Sequence, residues 1–214
     1  MPPPAAPTSL RLGASATLAR YVLPRLLAAF QRQEPAVAVT LLPLNSEQVA
    51  AALHQSELDL GFVEGTTRLP HLQYERLLYD EIIAVRRAAP GAPPPAPLTL
   101  AEALTHPLVL SEPGSGMLDV VETTLRAHGV LLAELPTPPR HFVAHEAIKA
   151  CLYATPGTLS FITRRGVAAE LLGGQLEEVP IRGLFLARQL LAAWRADEPL
   201  LPAAQQLLDF CRAY

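Results

Sequence analysis

No apolar run in the 214-residue sequence approaches the roughly 20 consecutive residues that a membrane-spanning helix needs. The amino-terminal stretch MPPPAAP has neither the positive charge nor the apolar core of a signal peptide, and its prolines are typical of an extended linker. Cysteine is scarce: Cys151 and Cys211 are the only two, and they lack C-x-x-C spacing, which favours buried thiols over a redox pair. These absences predict a cytoplasmic protein with no membrane contact.

Basic charge is not in excess either. The chain has 17 Lys and Arg against 20 Asp and Glu, for a formal net charge of −3, whereas a nucleic-acid-binding chain usually carries a basic surface. We expect any DNA contact to come from sequence that these residues do not include. With 50% hydrophobic and 17% charged residues, the chain is too apolar to be disordered and can bury a substantial core.

The usual catalytic and phosphate-binding motifs are missing. Gly157 and the pair Gly173-Gly174 match neither a P-loop nor the dinucleotide-binding fingerprint. Ser115 does not lie in a G-x-S-x-G nucleophile elbow, because Pro113 occupies the position two residues before it. We therefore expect a sensing module, not an enzyme, with no catalytic residues and no cofactor.

A metal site has little support. His141 and His145, with Glu146 beside the second, are conceivable ligands, but His141 is predicted on a strand and His145 at a helix start. The i, i+4 geometry of two ligands on one helix is therefore not assured, and the spacing indicates no third ligand. We expect no metal.

The hydrophobic pattern predicts two α/β halves with parallel strands. Each half has the order β-α-β-α-β, which is that of right-handed crossovers in a parallel sheet. Residues 37–42 have the pattern of a buried strand, and residues 72–85 that of two short extended runs. The predicted strands are residues 10–13, 37–42 and 58–63 in the first half and 107–110, 140–143 and 158–162 in the second, followed by an extended run at 184–194 and a helix at 200–211.

This order predicts an α/β fold of two Rossmann-like lobes joined by a two-stranded hinge, with a ligand cleft between the lobes. A proline-rich loop at residues 88–97 indicates a lobe boundary. We place a linker at residues 1–8, lobe I at residues 9–87 with 190–214, and lobe II at residues 88–189.

Strand-to-helix turns are the candidate binding elements, because ligands of such folds lie beyond the carboxyl ends of parallel strands. The turns are residues 14–17, 45–47, 111–116 and 144–146. Each offers backbone N–H groups at a helix N-terminus with short polar side chains, which favours an anion such as a small carboxylate. The same residue types also cap helices, with Thr17 as the natural N-cap and Ser15 as a second candidate, so each turn taken singly has a structural interpretation.

The helix predicted after Thr17 has an unusually wide apolar arc. Leu23 and Leu27 lie on the other side from its main apolar stripe, which suggests a second buried contact, and a subunit interface is one candidate. Pro24 either kinks this helix or marks the beginning of its regular part.

Charged residues outside the turns are expected at the surface. Those of residues 74–76 and 79–81, Asp80 among them, are predicted to be solvated strand positions. Arg164 and Arg165 form a surface pair by default, and a role as cationic partner of an anionic ligand is the alternative.

Several segments, taken in order from residue 10 to residue 210, resemble the effector-binding (regulatory) domain of LysR-type transcriptional regulators. They are LRLGAS at 10–15, YVLPRLL at 21–27, Phe30 with Glu34-Pro35, ELDLGFV at 57–63, SEPGSG at 111–116 and HEAI at 145–148. The resemblance implies the fold of type 2 periplasmic binding proteins, preceded by a winged helix-turn-helix domain and a linker helix. It also implies a homodimer in which helices 17–33 and 115–128 pair in antiparallel fashion, and DNA contact only through the helix-turn-helix domain.

The resemblance further implies where a small-molecule effector binds. By position, the effector-binding residues are Ser15, Ala16, Thr17, Asn45, Ser46, Glu64, Gly65, Ser115 and His145. The Glu64 carboxylate would accept a hydrogen bond from an amine or hydroxyl of the ligand. The sequence departs from the family pattern at residues 155–157 and at Thr163-Arg164, and both departures bear on the predicted floor of the cleft.

Our first hypothesis is therefore the ligand-sensing domain of a LysR-type regulator, in which a small anionic metabolite controls transcription. A solute-binding protein of a transport system is the alternative, against which the absent signal peptide argues. An enzyme built on the same fold is a third hypothesis, but the sequence offers it no paired base and nucleophile.

Overall fold

A computed structural model describes residues 8–89, 91 and 93–213 of the chain. They form two compact units: unit 1 contains the chain up to Leu78 and again from Leu190, and unit 2 is Tyr79–Gln189. In chain order the strands and α-helices are β1 (Thr8–Ala14), α1 (Leu23–Gln33), β2 (Val37–Pro43), α2 (Ser46–His54), β3 (Leu60–Glu64), β4 (Leu72–Arg87), α3 (Leu100–Ala103), β5 (Val109–Ser111), α4 (Gly116–Ala127), β6 (Arg140–Phe142), α5 (His145–Ala154), β7 (Ser160–Thr163), α6 (Arg164–Leu172), β8 (Leu176–Glu178), β9 (Leu186–Arg195) and α7 (Pro202–Ala213). No helix in this described part of the chain is long and apolar enough to cross a membrane.

The sheet of unit 1 has the strand order β2-β1-β3-β9. β1 runs parallel to β2 and to β3, whereas β9 is antiparallel to β3. The buried side chains of Leu12 and Phe62 lie on the paired strands β1 and β3, at the centre of the core of this unit. Because β1, β2 and β3 are parallel, their carboxyl ends meet at one edge of the sheet, where the predicted turns begin.

β2 is the edge strand of this sheet, so the prediction of a buried strand is wrong. Val37 is buried, whereas Ala38, Thr40 and Leu42 are exposed. The predicted parallel pairing is confirmed by the register of β2 with β1. A run of apolar residues does not distinguish a central strand from an edge strand, because both pack one face against the core.

α1 is preceded by a π-helical turn, Leu18–Val22, and the regular helix begins at Leu23 with Pro24 in its first turn. The second of the two interpretations of Pro24 is therefore confirmed. Proline is tolerated there because the first N–H groups of an α-helix have no intrahelical partner.

The wide apolar arc of α1 is covered inside unit 1. Leu23 and Leu27 are both buried. α1 also packs against α7, where the rings of Phe30 and Phe210 meet edge to face with their centroids 5.6 Å apart. The second buried contact is thus α7, and the apolar arc does not require a subunit interface.

In unit 2, β5 and β6 form a parallel pair, and a parallel bridge joins Leu108 to Leu159 just before β5 and β7. β4 pairs in antiparallel fashion with β7 and with β8. Met117 of α4, Ile148 of α5 and Phe161 of β7 are buried in the core of this unit. α4 and α5 follow the carboxyl ends of β5 and β6, so both helices begin at the same edge of that pair.

β4 is a single strand of 16 residues, whereas the sequence predicts two short extended runs. The first division between the units falls inside β4, after Leu78, and the second falls inside β9, after Gln189. The sequence pattern predicted the first boundary between residues 87 and 88, because a proline-rich loop there indicated the point at which the chain passes from one lobe to the other. The predicted linker at residues 1–8 lies outside the described residues, except that β1 begins at Thr8.

Candidate functional site

The strongest candidate for a ligand contact in unit 1 is Ser15, the first residue after β1. Its backbone N–H donates to the carbonyl oxygen of Phe62 at 2.9 Å, which fixes the turn against β3. The residue is only 2% exposed, and its Oγ is buried without a hydrogen-bond partner among the residues that the structure describes. A buried hydroxyl that makes no hydrogen bond costs free energy, so an unpartnered one calls for a functional explanation.

Thr17 is at the N-cap position of the helical segment that follows the turn at residues 14–17, as predicted, but no side-chain hydrogen bond caps this segment. Thr17 is fully buried and has a helical backbone conformation without a capping hydrogen bond. The first helical bond is instead made by the backbone, from the N–H of Ala19 to the carbonyl oxygen of Ser15 at 2.8 Å. The hydroxyls of this turn are thus not used as caps, while Ala16 adds no polar side chain.

The second turn caps its helix fully. Asn45 is the N-cap of α2, where its Oδ1 accepts from the N–H of Gln48 at 2.8 Å and its own N–H donates to Oε1 of Gln48 at 2.9 Å. This reciprocal capping box uses the side-chain oxygen of Asn45. The next residue, Ser46, accepts a hydrogen bond at its Oγ from the N–H of Glu64 at 3.2 Å.

Glu64 brings a carboxylate to the same edge of the sheet. It is the last residue of β3 and is 6% exposed. Gly65 follows with φ of 105°, a backbone conformation that residues with a Cβ rarely adopt, and it turns the chain away from the sheet. Gly13, on the neighbouring strand β1, packs closely against Leu58, and a Cβ there would lie 2.3 Å from Cδ1 of Leu58 and would displace that side chain.

The register of the strands brings these residues together. Ala14 of β1 lies beside Pro43 of β2 and beside Phe62 of β3. Ser15, Ser46 and Glu64 come after these three positions. They therefore lie at the adjacent carboxyl ends of the three parallel strands. The sequence-predicted residues of unit 1 therefore form one polar cluster, as the turn pattern predicts.

Unit 2 has a comparable edge. Ser115 is the N-cap of α4, and its Oγ accepts from the N–H of Met117 at 3.2 Å. His145 is the first residue of α5 and is 5% exposed. His141, the other candidate metal ligand, has its Nδ1 2.7 Å from the carbonyl oxygen of Ser111, which ties β6 to the end of β5. Within residues 8–89, 91 and 93–213, no group of three or more His, Cys, Asp or Glu side chains could hold a metal ion.

A buried charge cluster in unit 2 was missed by the sequence interpretation, which placed Asp80 at the surface. Asp80 is 6% exposed and Arg188 is 3% exposed, and Oδ2 of Asp80 accepts from Nε and Nη2 of Arg188 at 3.0 and 2.8 Å. The hydroxyl of Thr163 donates to the same oxygen at 2.9 Å, and Nε of Arg165 lies 3.3 Å from Oδ1. Strand alternation was the available signal, because it turns Asp80 to the face opposite Tyr79 and Glu81.

The neighbouring Arg164 is held by two carboxylates rather than left for a ligand. Its Nε donates to Glu81 at 2.6 Å, and both terminal nitrogens donate to Glu178 at 2.8 and 2.9 Å. The hydrogen bond with Glu81, followed by that with Glu178, raises the pKa of the Arg164 guanidinium. The interpretation of Arg164 as a cationic partner of a ligand is therefore less favoured than an internal ion-pair role.

The family model described as the LysR substrate binding domain matches residues 6–214. The chain belongs to the LysR substrate-binding domain family. The LysR resemblance and the α/β fold class, with the fold of type 2 periplasmic binding proteins, are thereby confirmed, and family membership supports a regulatory domain over a solute-binding protein.

Several curated proteins are similar to this LysR domain. The HTH-type transcriptional regulator CbbR of Xanthobacter flavus is 32% identical over 90% of this chain and 57% of its own length. YeiE, an uncharacterized HTH-type transcriptional regulator of Escherichia coli K12, is 30% identical over 95% of this chain and 67% of its own length. A protein named as the phosphonates import ATP-binding protein PhnC of Anaeromyxobacter dehalogenans is 38% identical over 96% of this chain, but the match spans only 41% of that protein.

Solved structures of LysR regulatory domains share the fold. The Synechocystis PCC6803 CcmR regulatory domain in complex with 2-PG has a TM-score of 0.80 and 24% identity, with 96% of both chains covered. The effector-binding domain of QuiR in complex with shikimate has a TM-score of 0.81 and 15% identity, again with 96% of both chains covered. At these identities the likeness concerns the fold alone.

Proposed function

We propose that this LysR domain is the effector-sensing domain of a transcriptional regulator, and that it binds a small anionic metabolite at the turns beyond its parallel strands. The effector-binding residues in the proposal are Ser15, Ala16, Thr17, Asn45, Ser46, Glu64 and Gly65 in unit 1, and Ser115 and His145 in unit 2. Family membership supports the sensing role, and regulators among the relatives support the control of transcription. Placement of the ligand between the two halves stays a prediction.

One observation carries the proposal for unit 1: the Oγ of Ser15 is buried and has no hydrogen-bond partner in the described part of the chain. Folding has already removed this hydroxyl from water, so a ligand that bonds to it gains a hydrogen bond without that desolvation cost. The Oγ of Ser115 is different, because it already accepts from the N–H of Met117. Ser15 is therefore the residue at which effector binding is most sensitive to a single change.

The chemistry of the cluster favours a ligand with both an acid group and a hydrogen-bond donor. Backbone N–H groups at a helix start and the Ser15 hydroxyl suit a carboxylate or phosphate oxygen. The carboxylate of Glu64 repels such a group but accepts from a hydroxyl or an ammonium. Two relatives of the same fold are described in complex with 2-PG and with shikimate, which makes both compounds reasonable first probes.

The experiment measures thermal unfolding of the parent domain, Ser15→Ala and Ser9→Ala with 2-PG, shikimate, succinate and sulfate. A compound present at about 100 times its Kd stabilises the parent by roughly 2.7 kcal/mol, which is a shift in Tm of about 5–10 °C for a chain of this size. Ser15→Ala should lose most of that shift. Without ligand it should be as stable as the parent, or more stable by up to about 1 kcal/mol, because an unpartnered buried hydroxyl is removed.

Ser9→Ala is the matched control, because Ser9 is an exposed residue of the same strand. It should respond to ligand like the parent. A compound that stabilises Ser15→Ala as much as the parent would contradict the site, and a parent that responds to no acid in the panel would contradict the ligand class.

Dimer formation through helices 17–33 and 115–128 also remains part of the proposal. Residues 18–33 contain Arg20, Arg25 and Arg32 and no acidic residue, whereas α4 contains Asp119 and Glu122 with Arg126. Opposite charges favour pairing of these two helices between copies. DNA contact is proposed only through a helix-turn-helix domain like that of the HTH-type relatives.

A second candidate function rests on the 38% identical relative that is named as an import ATP-binding protein. In that case the same sensing domain reports its effector to a transport ATPase instead of a promoter. The gene sequence that adjoins these residues distinguishes the two, since it encodes either a helix-turn-helix or nucleotide-binding motifs. In the full-length protein the effector should then change DNA affinity in the first case and ATP hydrolysis in the second.

A further inference from the structure

Unit 1 contains a cavity of about 260 Å³ at the end of the sheet opposite the polar cluster of Ser15, Ser46 and Glu64. Its lining residues are Arg11, Leu53, Ser56, Leu58, Asp59, Trp194, Arg195, Glu198, Pro199, Leu200 and Leu201. Asp59 immediately precedes β3, and Arg195 ends β9, which runs antiparallel to β3. Both therefore lie at the amino edge of β3, whereas Glu64 and the effector turns lie at its carboxyl edge.

The walls of the cavity suit a ring. Leu53 and Leu58 line it together with Leu200 and Leu201, and the half-buried indole of Trp194 completes the apolar part. Aromatic side chains offer a large flat surface on which a planar ring packs well. Binding pockets for drug-sized molecules are about 300–1,000 Å³, so this smaller cavity excludes a nucleotide and fits a single ring with one substituent.

The polar part of the cavity includes a positively charged hydrogen-bond donor, the guanidinium of Arg11. Arg11 is held by Asp59, with Nη2 2.7 Å from Oδ1 and Nε 3.3 Å from Oδ2, while 48% of its side chain stays exposed. A guanidinium has five N–H donors, so Arg11 keeps donors beyond those that Asp59 accepts. Asp59 also accepts from the backbone N–H of Arg11 at 2.6 Å, which fixes the base of this side chain.

The second arginine of the cavity is used internally. Nε and Nη2 of Arg195 donate to Asp197 at 3.0 and 2.9 Å, and Nη2 also lies 3.0 Å from Glu198. Its Nη1 donates to the hydroxyl of Ser56. Arg195 therefore shapes the wall, and Arg11 is the cation with donors left for a ligand.

We propose that this cavity is a second small-molecule site, specific for a planar aromatic monoanion. The ring packs against Trp194 and the leucine side chains, and the carboxylate accepts charge-assisted hydrogen bonds from Arg11. This site is separate from the proposed effector turns and does not depend on them.

The test uses the single tryptophan of the chain, since Trp194 gives the only indole N–H resonance in a ¹H–¹⁵N spectrum. Phenylacetate, 2-phenylethanol and acetate are titrated separately into the parent protein; they carry ring and charge, ring alone, and charge alone. Phenylacetate should shift the Trp194 resonance in a saturable manner. 2-Phenylethanol should bind about tenfold more weakly, which is the effect of one lost charge-assisted bond, and acetate should give no shift.

Two variants locate the carboxylate. Arg11→Gln should reduce phenylacetate affinity about tenfold, to that of 2-phenylethanol. Leu201→Glu places a negative charge at an exposed position of the rim, 48% exposed, where folding should be unaffected. It should weaken phenylacetate at least fivefold more than it weakens 2-phenylethanol, because both lose a leucine contact but only phenylacetate is repelled by the new charge.

Arg182→Gln is the control for general charge effects, since Arg182 is exposed and belongs to unit 2. It should bind phenylacetate like the parent. The proposal is overturned if phenylacetate leaves the Trp194 resonance unmoved, if acetate shifts it equally, or if Leu201→Glu binds phenylacetate with parental affinity. Ser15→Ala should not alter the titration, so failure of the effector site and failure of this cavity are distinguishable.

Discussion

Ser15 and Asp80 are both buried polar side chains, and they differ in what folding provides for them. Asp80 receives hydrogen bonds from Arg188 and Thr163 within its own unit. The hydroxyl of Ser15 forms no hydrogen bond with any residue that the structure describes. A satisfied buried group is a structural feature, whereas an unsatisfied one is available to a ligand.

The buried pair of Asp80 and Arg188 should be costly to break. Asp80→Ala leaves the Arg188 guanidinium in the core without its carboxylate, so we expect a loss of about 3–5 kcal/mol in the free energy of unfolding, measured with urea. Glu81→Ala is the control on the adjacent residue, since Glu81 pairs with Arg164 at a position about two-fifths exposed. It should lose no more than about 1 kcal/mol. Equal losses in the two variants would contradict the buried character of the pair.

Cys211 should make the stability of unit 1 depend on pH in the alkaline range. Burial raises the pKa of this thiol from its ordinary value of 9.0 to about 12. Above pH 9 the unfolded chain releases this proton while the folded chain keeps it. Stability is therefore fully present below pH 9 and falls as the pH rises toward 12.

The measurement is urea unfolding of the parent and of Cys211→Ala at several pH values from 8 upward. The parent should lose stability more steeply than Cys211→Ala, because only the parent carries this thiol. Parallel curves would show that the thiol is not held protonated by the fold. Slow alkylation of Cys211 in the native protein is expected for the same reason, since the thiolate is the reactive species.

At the scale of elements, the starts of the helices divide into capped and uncapped ones. α2 begins with the capping box of Asn45 and Gln48, and α3 begins with the same motif, made by Thr99 and Glu102. The helical segment after Ser15 begins without a side-chain cap. A ligand at that turn would supply part of what a cap supplies elsewhere, which is hydrogen bonding to otherwise unsatisfied groups.

Asn45→Ala should reduce the free energy of unfolding by about 1 kcal/mol, because it removes the capping box of α2. Thr99→Ala, which removes the cap of α3, should cost a similar amount. Asn45→Ala should weaken effector binding less than Ser15→Ala does, since Oδ1 of Asn45 is already engaged with Gln48. Urea unfolding measures the losses of stability, and calorimetric titration measures the effector affinities. Full loss of effector binding with unchanged stability in Asn45→Ala would show that Asn45 is a ligand contact rather than a cap.

Helix capping shows which features of the helices could be predicted from the sequence. The sequence predicted a capping signal at residues 45–47 from the residue types alone, and the structure adds Gln48 at N3 as the partner of Asn45. It also predicted the N-cap position of Thr17, but it could not show that no side-chain hydrogen bond caps this segment, or that the N–H of Ser15 donates to Phe62, a residue far away in the chain. A local pattern carries no information on that contact.

At the scale of the whole molecule, the proposed dimer can be tested by reversing charges on the two helices of its interface. Arg25→Glu places an acid on helix 17–33, whose charged residues are all basic, and Glu122→Arg reverses a charge on α4. Each single change should weaken the dimer, and the double change should restore it, because opposite charges again face each other. Sedimentation velocity over a range of protein concentrations measures this. Single variants that sediment like the parent would show that these helices do not form the interface.

The sequence by itself determined the alternation of strands and helices, the LysR resemblance and the turns at which polar residues cluster. These follow from hydrophobic periodicity and short-range motifs, which are local properties of the chain. Only the tertiary structure decided that Asp80 is buried against Arg188, 108 residues away, and that α7 covers the second face of α1. It also decided that the Ser15 hydroxyl has no hydrogen-bond partner among the described residues. The physical reason is the same in each case: burial and hydrogen-bond satisfaction depend on which distant segments meet, and periodicity within one segment does not specify its partner.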